Sequence, residues 1–235
     1  MAHCLALDFA RFSVITFDCY GTLIDWETGI LGAIRPVLAG HGAHLSDAEI
    51  LGMYGEIEAD EESGGYQPYK EILQAVVRGF GTRLGFVPSI QEQQSLPDSL
   101  RNWKPFPDTV AALRRLKSKF QLGIISNVDD DLFSATARRL EIKFDYVVTA
   151  SQAHAYKPSL DIFRLAQTRI ALLPVQWLHA AQSVYHDVAP AQVLGISTVW
   201  VNRPSLRPNS GAAKQASAKA DVEVSSLQEL ADLVG

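Results

Sequence analysis

Ser13-Val14-Ile15-Thr16-Phe17-Asp18-Cys19-Tyr20-Gly21-Thr22-Leu23 passes from an apolar, β-branched run to a carboxylate and then to a tight Gly-Thr turn. Residues 13–17 have the pattern of a strand buried on both faces of a parallel sheet. The run stops at Asp18, and Gly21 permits the sharp turn that would present it. In open parallel sheets ligands bind beyond the carboxyl ends of the strands, so a carboxylate in this position is a candidate reactive group.

Downstream, residues 28–103 read as helical throughout. Leu31, Ile34 and Leu38 share one helix face. Ser46-Asp47-Ala48-Glu49 is a capping box for a second helix. Pro68 stands where a third would begin, residues 69–84 continue it, and Gly85 fits its C-terminal stop. A short helical stretch follows over 95–103. After Lys104-Pro105-Phe106-Pro107 the character changes. Helices over 108–120, 129–140, 159–170 and 190–194 alternate with strands over 121–125, 144–148, 177–184 and 197–201. The 177–184 strand is less purely apolar than the others. Alternation of this kind builds βαβ units and a parallel sheet. Residues 203–220 are rich in Pro, Ser and Ala and read as a mobile surface loop. Ser226-Leu227-Gln228-Glu229 caps a final helix. The expected fold class is α/β: a Rossmann-like parallel sheet formed by residues 1–27 and 104–235, with residues 28–103 inserted as a helical cap domain.

Composition narrows the function. The 235 residues are 47% hydrophobic and 20% charged, enough for a sizeable core and not the make-up of a disordered chain. A net charge of −5 without a Lys/Arg cluster argues against a nucleic-acid partner. No run approaches the length of a membrane span, and the first residues lack a signal-peptide pattern. Cys4 and Cys19 suggest no disulfide framework. A cytoplasmic, monomeric or homodimeric protein with a small-molecule substrate is expected.

Four strand ends carry polar groups: Asp18, then Ser126-Asn127, then Lys157-Pro158 in the loop after the third strand, then His186-Asp187. Singly, each is as well explained as a cap or turn residue. Together they bring two carboxylates, a hydroxyl, an amide and an ammonium to one sheet edge. In this order Asp18-Cys19-Tyr20-Gly21-Thr22-Leu23, Ser126-Asn127, Lys157-Pro158 and Asp187 resemble motifs I to IV of the haloacid dehalogenase superfamily, over almost the whole chain. The helical insertion resembles that family's C1-type cap. The Asp-x-Tyr-Gly-Thr form is most similar to the L-2-haloacid dehalogenase branch.

The resemblance implies Asp18 as a nucleophile that forms an aspartyl ester, and Lys157 as the cation that keeps it ionised beside Asp187. It implies Thr22, Ser126 and Asn127 as supporting donors, and Asp187 as the group that positions the hydrolytic water. Phosphatases of the superfamily have an Asp in place of Tyr20, which protonates the leaving alcohol. A halide needs no such proton, so hydrolytic dehalogenation of a small 2-haloacid-like substrate is expected, with no cofactor. The alternatives are a phosphatase whose Mg²⁺ would be held at Asp18, Tyr20 and Asp187, and a non-catalytic binding protein. The haloacid dehalogenases carry an arginine where Gly55 stands here, and a serine and an asparagine where Gln182 and Val184 stand. Tyr20, His186, Tyr66 and Arg78, with Lys70, are therefore the candidate substrate contacts. The acidic run Glu56, Glu58, Asp60, Glu61 and Glu62 reads as a solvated helix face. Trp26, Tyr54, Tyr66 and Tyr69 are candidates for the pocket wall or the core.

Overall fold

A computed structural model describes residues 7–203, 205 and 217–235. Six parallel strands form one sheet in the order β3-β2-β1-β4-β5-β6. They are β1 Val14–Phe17, β2 Gln121–Ser126, β3 Tyr146–Thr149, β4 Trp177–Ala181, β5 Ser197–Val201 and β6 Val222–Val224. β1 lies between β2 and β4, and Phe17 pairs with Ile124 on one side and Ala180 on the other. The chain therefore reverses its winding at β1, the switch point at which doubly wound sheets open a crevice for ligands.

Both faces of the sheet are covered, which is why β1 reads as a continuous apolar run. Ile15 and Phe17 pack on one face with Leu122, Ile124 and Val199, together with Leu113 of α5 (Thr109–Lys117) and Leu230 of α10 (Leu227–Leu233). Val14 packs on the other with Ile125, Val148 and Trp177, and with Ile162 and Phe163 of α8 (Leu160–Ile170). The remaining connections are α6 (Asp130–Leu140), the short α7 (Ala150–Ala153), a π-helical turn at Val184–Val188 and α9 (Ala189–Val193).

Between β1 and β2 come four helices that pack on one another: α1 (Trp26–Gly40), α2 (Asp47–Glu62), α3 (Tyr69–Leu84) and α4 (Ile90–Ser99). α1 begins at Trp26, capped by the Asp25 side chain, two residues before the expected start. The expected capping box at Ser46 and Glu49 forms, with reciprocal bonds of 3.3 and 2.7 Å. A second box, at Ser89 and Glu92, starts α4 earlier than the sequence suggested. The chain enters and leaves this block through adjacent strand-like segments. Asp25 N–H donates to the Lys104 carbonyl at 2.9 Å and Phe106 N–H to the Leu23 carbonyl at 3.1 Å.

α3 has no N-cap side chain of its own, because Pro68 holds that position. Asp129, at the start of α6, supplies the acceptors instead: its two oxygens take the N–H groups of Tyr69 at 2.9 Å and Lys70 at 3.0 Å. The Tyr156 hydroxyl donates to the Gln67 carbonyl at 2.7 Å and ties the same end. β6 is an addition to the sequence reading, since three residues are too short for periodicity to reveal. The expected loop over 203–220 lies largely outside the described residues. Among the described residues no helix is long and apolar enough to cross a membrane.

Candidate active site

The strand-end residues meet at one cavity of about 60 Å³ lined by Asp18, Tyr20, Trp26, Glu58, Glu62, Tyr69, Ser126, Asn127, Lys157, Gln182, Ser183, His186 and Asp187. A larger hollow of about 770 Å³ lies between α1 and α4 and contains none of these groups.

Asp18 follows β1, and its N–H donates to the Ala180 carbonyl at 3.3 Å. Gly21 then adopts φ +90°, and a Cβ there would lie 3.0 Å from the Trp26 indole nitrogen, so both conformation and space favour glycine. The turn returns Thr22 to Asp18. Its hydroxyl donates to Asp18 Oδ2 at 2.8 Å and accepts from the Gln182 N–H at 2.9 Å. Arg203 holds the loop from outside, donating to the Thr22 carbonyl at 3.1 Å and to Asp108 at 2.7 Å.

Lys157 is 2% exposed and lies between the two carboxylates. Its ammonium donates to Asp18 Oδ1 at 2.8 Å, Asp187 Oδ1 at 2.7 Å and the Ile125 carbonyl at 3.1 Å, which uses all three of its protons. Asn127 fixes the lysine backbone: its Oδ1 accepts from Lys157 N–H at 2.7 Å, and its Nδ2 donates to the Lys157 carbonyl at 3.2 Å.

The two carboxylates are unequal. Burial raises the Asp18 pKa against the pull of Lys157, and the charge of Asp187 adds to the rise. Burial also works to raise Asp187, but the Lys157 charge and the His179 hydrogen bond outweigh it and leave its pKa below the usual value. Burial opposes the Lys157 charge, yet the two carboxylates raise its pKa overall.

His179 escaped the sequence reading. It lies in the middle of β4, fully buried, with Nε2 2.9 Å from Asp187 Oδ1 and Nδ1 2.8 Å from the Thr16 hydroxyl. Trp177 Nε1–H donates to that same hydroxyl at 2.7 Å. An ionised Asp187 only accepts, so His179 donates through Nε2, and its Nδ1 accepts the hydrogen bond that the Thr16 hydroxyl donates. The less apolar character of this strand was the available signal.

Asp187 and His186 belong to the π-helical turn, a distortion frequent at functional sites. Ser183 begins the turn and accepts the His186 N–H at 3.0 Å. Asp187 Oδ2 and Ser126 Oγ have no hydrogen-bond partner, although each residue is only 1% exposed.

The structure corrects several expected contacts. Arg78 is exposed on α3 and donates to Gln93 at 3.1 Å, away from the cavity, because α3 buries the opposite face. Tyr66 lies outside the cavity wall, packed against His154 and Tyr156. Lys70 pairs with Asp131 at 2.8 Å on the surface. Tyr20 lines the cavity, but its ring meets Trp103 edge-on and its hydroxyl is 2.8 Å from Thr136, which is not in the lining. The acidic run divides. Glu56 and Asp60 are exposed as expected, whereas Glu58 and Glu62 turn into the cavity. Glu58 Oε1 accepts the Tyr69 and Tyr54 hydroxyls at 2.5 and 2.7 Å, and Glu62 accepts a longer 3.4 Å bond from Asn127. Burial raises the pKa of both, and the Glu58 charge raises Glu62 further.

This donor set suits an ammonium better than a divalent ion. Of the three expected ligands, both aspartate Oδ1 atoms are held by Lys157, Asp18 Oδ2 by Thr22, and the Tyr20 hydroxyl is turned away, so that only Asp187 Oδ2 of that set has no partner. Among the described residues no group of three His, Cys, Asp or Glu could hold a metal ion.

The chain is similar in sequence and in fold to several known proteins. The sequence profile of the haloacid dehalogenase-like hydrolases matches residues 12–179. An (S)-2-haloacid dehalogenase of Pseudomonas fluorescens is 26% identical over 92% of this chain and 93% of its own length. A glyceraldehyde 3-phosphate phosphatase of Methanothermobacter thermautotrophicus is 34% identical over 80% of this chain and 84% of its own. An L-2-haloacid dehalogenase of Xanthobacter autotrophicus, solved with chloropropionic acid covalently bound, has the same fold: TM-score 0.80 at 20% identity, over 95% of this chain and 98% of that one.

Proposed function

Because the chain belongs to the haloacid dehalogenase-like hydrolase family, we propose that it hydrolyses a carbon–halogen or related bond of a small 2-haloacid-like substrate, with Asp18 as the nucleophile. One observation carries the reading: Thr22 and Lys157 hold a buried Asp18 carboxylate while the Tyr20 hydroxyl is committed to Thr136. A desolvated, aimed carboxylate is a competent nucleophile toward carbon. Asp18 attacks, the halide leaves with the bonding electrons, and an aspartyl ester forms. Water then attacks the ester carbonyl, releases the alcohol and regenerates Asp18. Asp187 is held ionised by Lys157 and His179, and its unpartnered Oδ2 is suited to receive that water. No step requires a metal ion. Helices α1–α4 act as the cap domain that excludes bulk water, contributing Trp26, Glu58, Glu62 and Tyr69 to the wall.

A phosphatase is the second reading, favoured by the 34% identical phosphatase. It lacks an acid for the leaving alcohol, a contribution of about 10²–10⁴ in rate. Halide release from 2-chloropropionate, assayed beside phosphate release from small phosphomonoesters, separates the two. A single turnover in H₂¹⁸O tests the intermediate: the first product takes its oxygen from Asp18, and Asp18→Asn is inactive though folded. Solvent oxygen in the first product means that water attacks substrate directly and the ester is not formed.

A further inference from the structure

The reaction cavity is small, and one of its walls is thin. Its volume of about 60 Å³ is room for roughly four to six water molecules. A second hollow of about 230 Å³ adjoins it, and Trp26 and Gln182 are the residues common to both linings. The 770 Å³ hollow has no residue in common with the reaction cavity; Tyr20 of one lining packs edge-on against Trp103 of the other. Gln182 is pinned through its backbone: its N–H donates to the Thr22 hydroxyl and its carbonyl accepts from Trp200 Nε1–H, each at 2.9 Å. The half-buried Trp26 is placed by its ring. The indole nitrogen lies 3.0 Å from where a Cβ on Gly21 would stand, and Gly21 lines the second hollow. The same ring meets Tyr54 edge-on, and the Tyr54 hydroxyl lies 2.7 Å from Glu58 and 3.2 Å from the Tyr69 hydroxyl, both in the reaction-cavity lining. The polar side chains of the second hollow are engaged within the protein. Asp25 accepts from Thr28, Glu27 accepts from Ser205, and Arg203 pairs with Asp108 and lies over the Phe106 ring at 4.2 Å. What remains for a ligand is ring and glycine surface, which suits an alkyl chain.

We propose that Trp26 sets the length of substrate that this site accepts: its indole closes the reaction cavity against the neighbouring hollow, so that the shortest 2-haloacids enter and long-chain 2-haloalkanoates are shut out. The chemistry rests on the reading of Asp18 given above; the length limit rests on the two hollows and the ring between them. A small side chain at position 26 joins the hollows and gives an alkyl tail a place beside Phe106, while Asp18, Lys157 and Asp187 keep their mutual geometry. Selectivity of this kind comes from a steric bar against the longer competitor, not from a new attraction to the shorter one.

Two pairs of acids test the limit on the full chain, with and without turnover. Halide release from 2-chloropropionate and 2-chlorohexanoate gives a ratio of kcat/KM values, and binding of the unreactive propionate and hexanoate, followed by ligand-observed NMR, gives the corresponding ratio of affinities. The wild type should favour the short member of each pair. Trp26→Ala should move both ratios toward the long member by about tenfold or more, since a methylene in an apolar pocket is worth about 10–200-fold. Trp26→Phe, which keeps a ring, should move them less. Each variant is first shown to be folded by urea unfolding, and Trp26→Leu carries the same test if Trp26→Ala does not fold. A general disturbance of the Gly21 turn lowers activity on both acids alike and leaves the ratio where it was. A wild type that takes the long acid as readily as the short one, or ratios unmoved by loss of the indole, overturns the proposal. A shifted affinity ratio without halide release from either chloro acid defeats the dehalogenation reading and leaves the length limit standing; halide release with unshifted ratios does the reverse. Neither binding nor release with any of the four acids defeats both.

Discussion

Replacing Lys157 should disable this site in a way that pH exposes. The ammonium is buried and lies 2.8 Å from Asp18 and 2.7 Å from Asp187. A unit charge pair about 4 Å apart contributes roughly 4 kcal/mol at an effective dielectric near 20. If that term is what keeps Asp18 ionised, its loss lowers the rate at neutral pH by about 10³. The sign follows from the surroundings. Burial and the Asp187 charge both raise the Asp18 pKa, and Lys157 opposes them. Without Lys157, Asp18 holds its proton at neutral pH and gives it up only as pH rises. Lys157→Ala should therefore be nearly inactive at pH 7 and partly recover on the alkaline side. Lys157→Arg should rescue poorly, because a planar guanidinium does not fit the place of a compact ammonium bonded to two carboxylates and a carbonyl. Breaking the buried pair should also cost about 3–5 kcal/mol of stability, measured by urea unfolding so that loss of fold is not mistaken for loss of chemistry. The assay is single-turnover halide release against pH on variants shown to be folded. A Lys157→Ala profile with the wild-type shape, reduced less than about tenfold, would refute the argument that Lys157 sets the ionisation of Asp18.

Three further outcomes follow from the geometry. Asp129→Ala removes the acceptors for Tyr69 and Lys70 N–H, and should cost about 1–2 kcal/mol while accelerating amide exchange at those two positions; unchanged exchange there would mean that Asp129 does not cap α3. Glu62 has a pKa raised by burial and by Glu58, so wild-type stability falls as pH rises from near 4.5 through its folded value. Glu62→Gln should accordingly be more stable at pH 8 by about 1 kcal/mol, with the gain vanishing toward pH 4; a constant difference across that range contradicts the assignment. EDTA should leave halide release unchanged and added Mg²⁺ should not raise it; loss with EDTA and recovery with Mg²⁺ would put the phosphatase reading first.

Much of this site can be read in the sequence because parallel sheets put function at strand ends. Residues 13–17 announce a strand buried on both faces; Asp18 follows β1, Ser126 ends β2 with Asn127 directly after it, Lys157 lies between α7 and α8, and Asp187 lies in the π-helical turn beyond β4. What escaped depends on facing. Glu58 and Glu62 belong to an acidic run that suggests solvent, yet Glu58 follows the buried Ile57 and stands four residues after the buried Tyr54, on the inward face of α2. That spacing was the available signal, and charge density masked it. His179 was legible only as an odd polar residue within a buried strand. Its partner Thr16 sits across from it in register on β1, a neighbour that strand order supplies and a single sequence does not. Arg78 misled because a cation on a helix of the inserted block looks like an anion contact until the buried face of α3 is known.

On the proposed mechanism, the network through the core distinguishes the two carboxylates that share one ammonium. Asp187 receives Lys157 on Oδ1 and, at the same atom, the His179 donor, which Thr16 and Trp177 hold in place from behind. Its pKa lies below the usual value, so it stays ionised and is a weak base. Asp18 receives Lys157 and one hydroxyl, and it bears the full effect of burial and of its charged neighbour, so its pKa lies above the usual value. Environments that push paired groups apart assign their roles. The less stabilised carboxylate is the one with more to gain by forming a covalent bond, because the ester discharges it in a dry site. In the proposed two-step mechanism the better stabilised one would keep its charge throughout, and Lys157 would retain a partner once Asp18 is esterified. Exchanging the roles would require moving His179, and that residue is fixed in the centre of β4 by the same parallel register that places Asp18 at the end of β1.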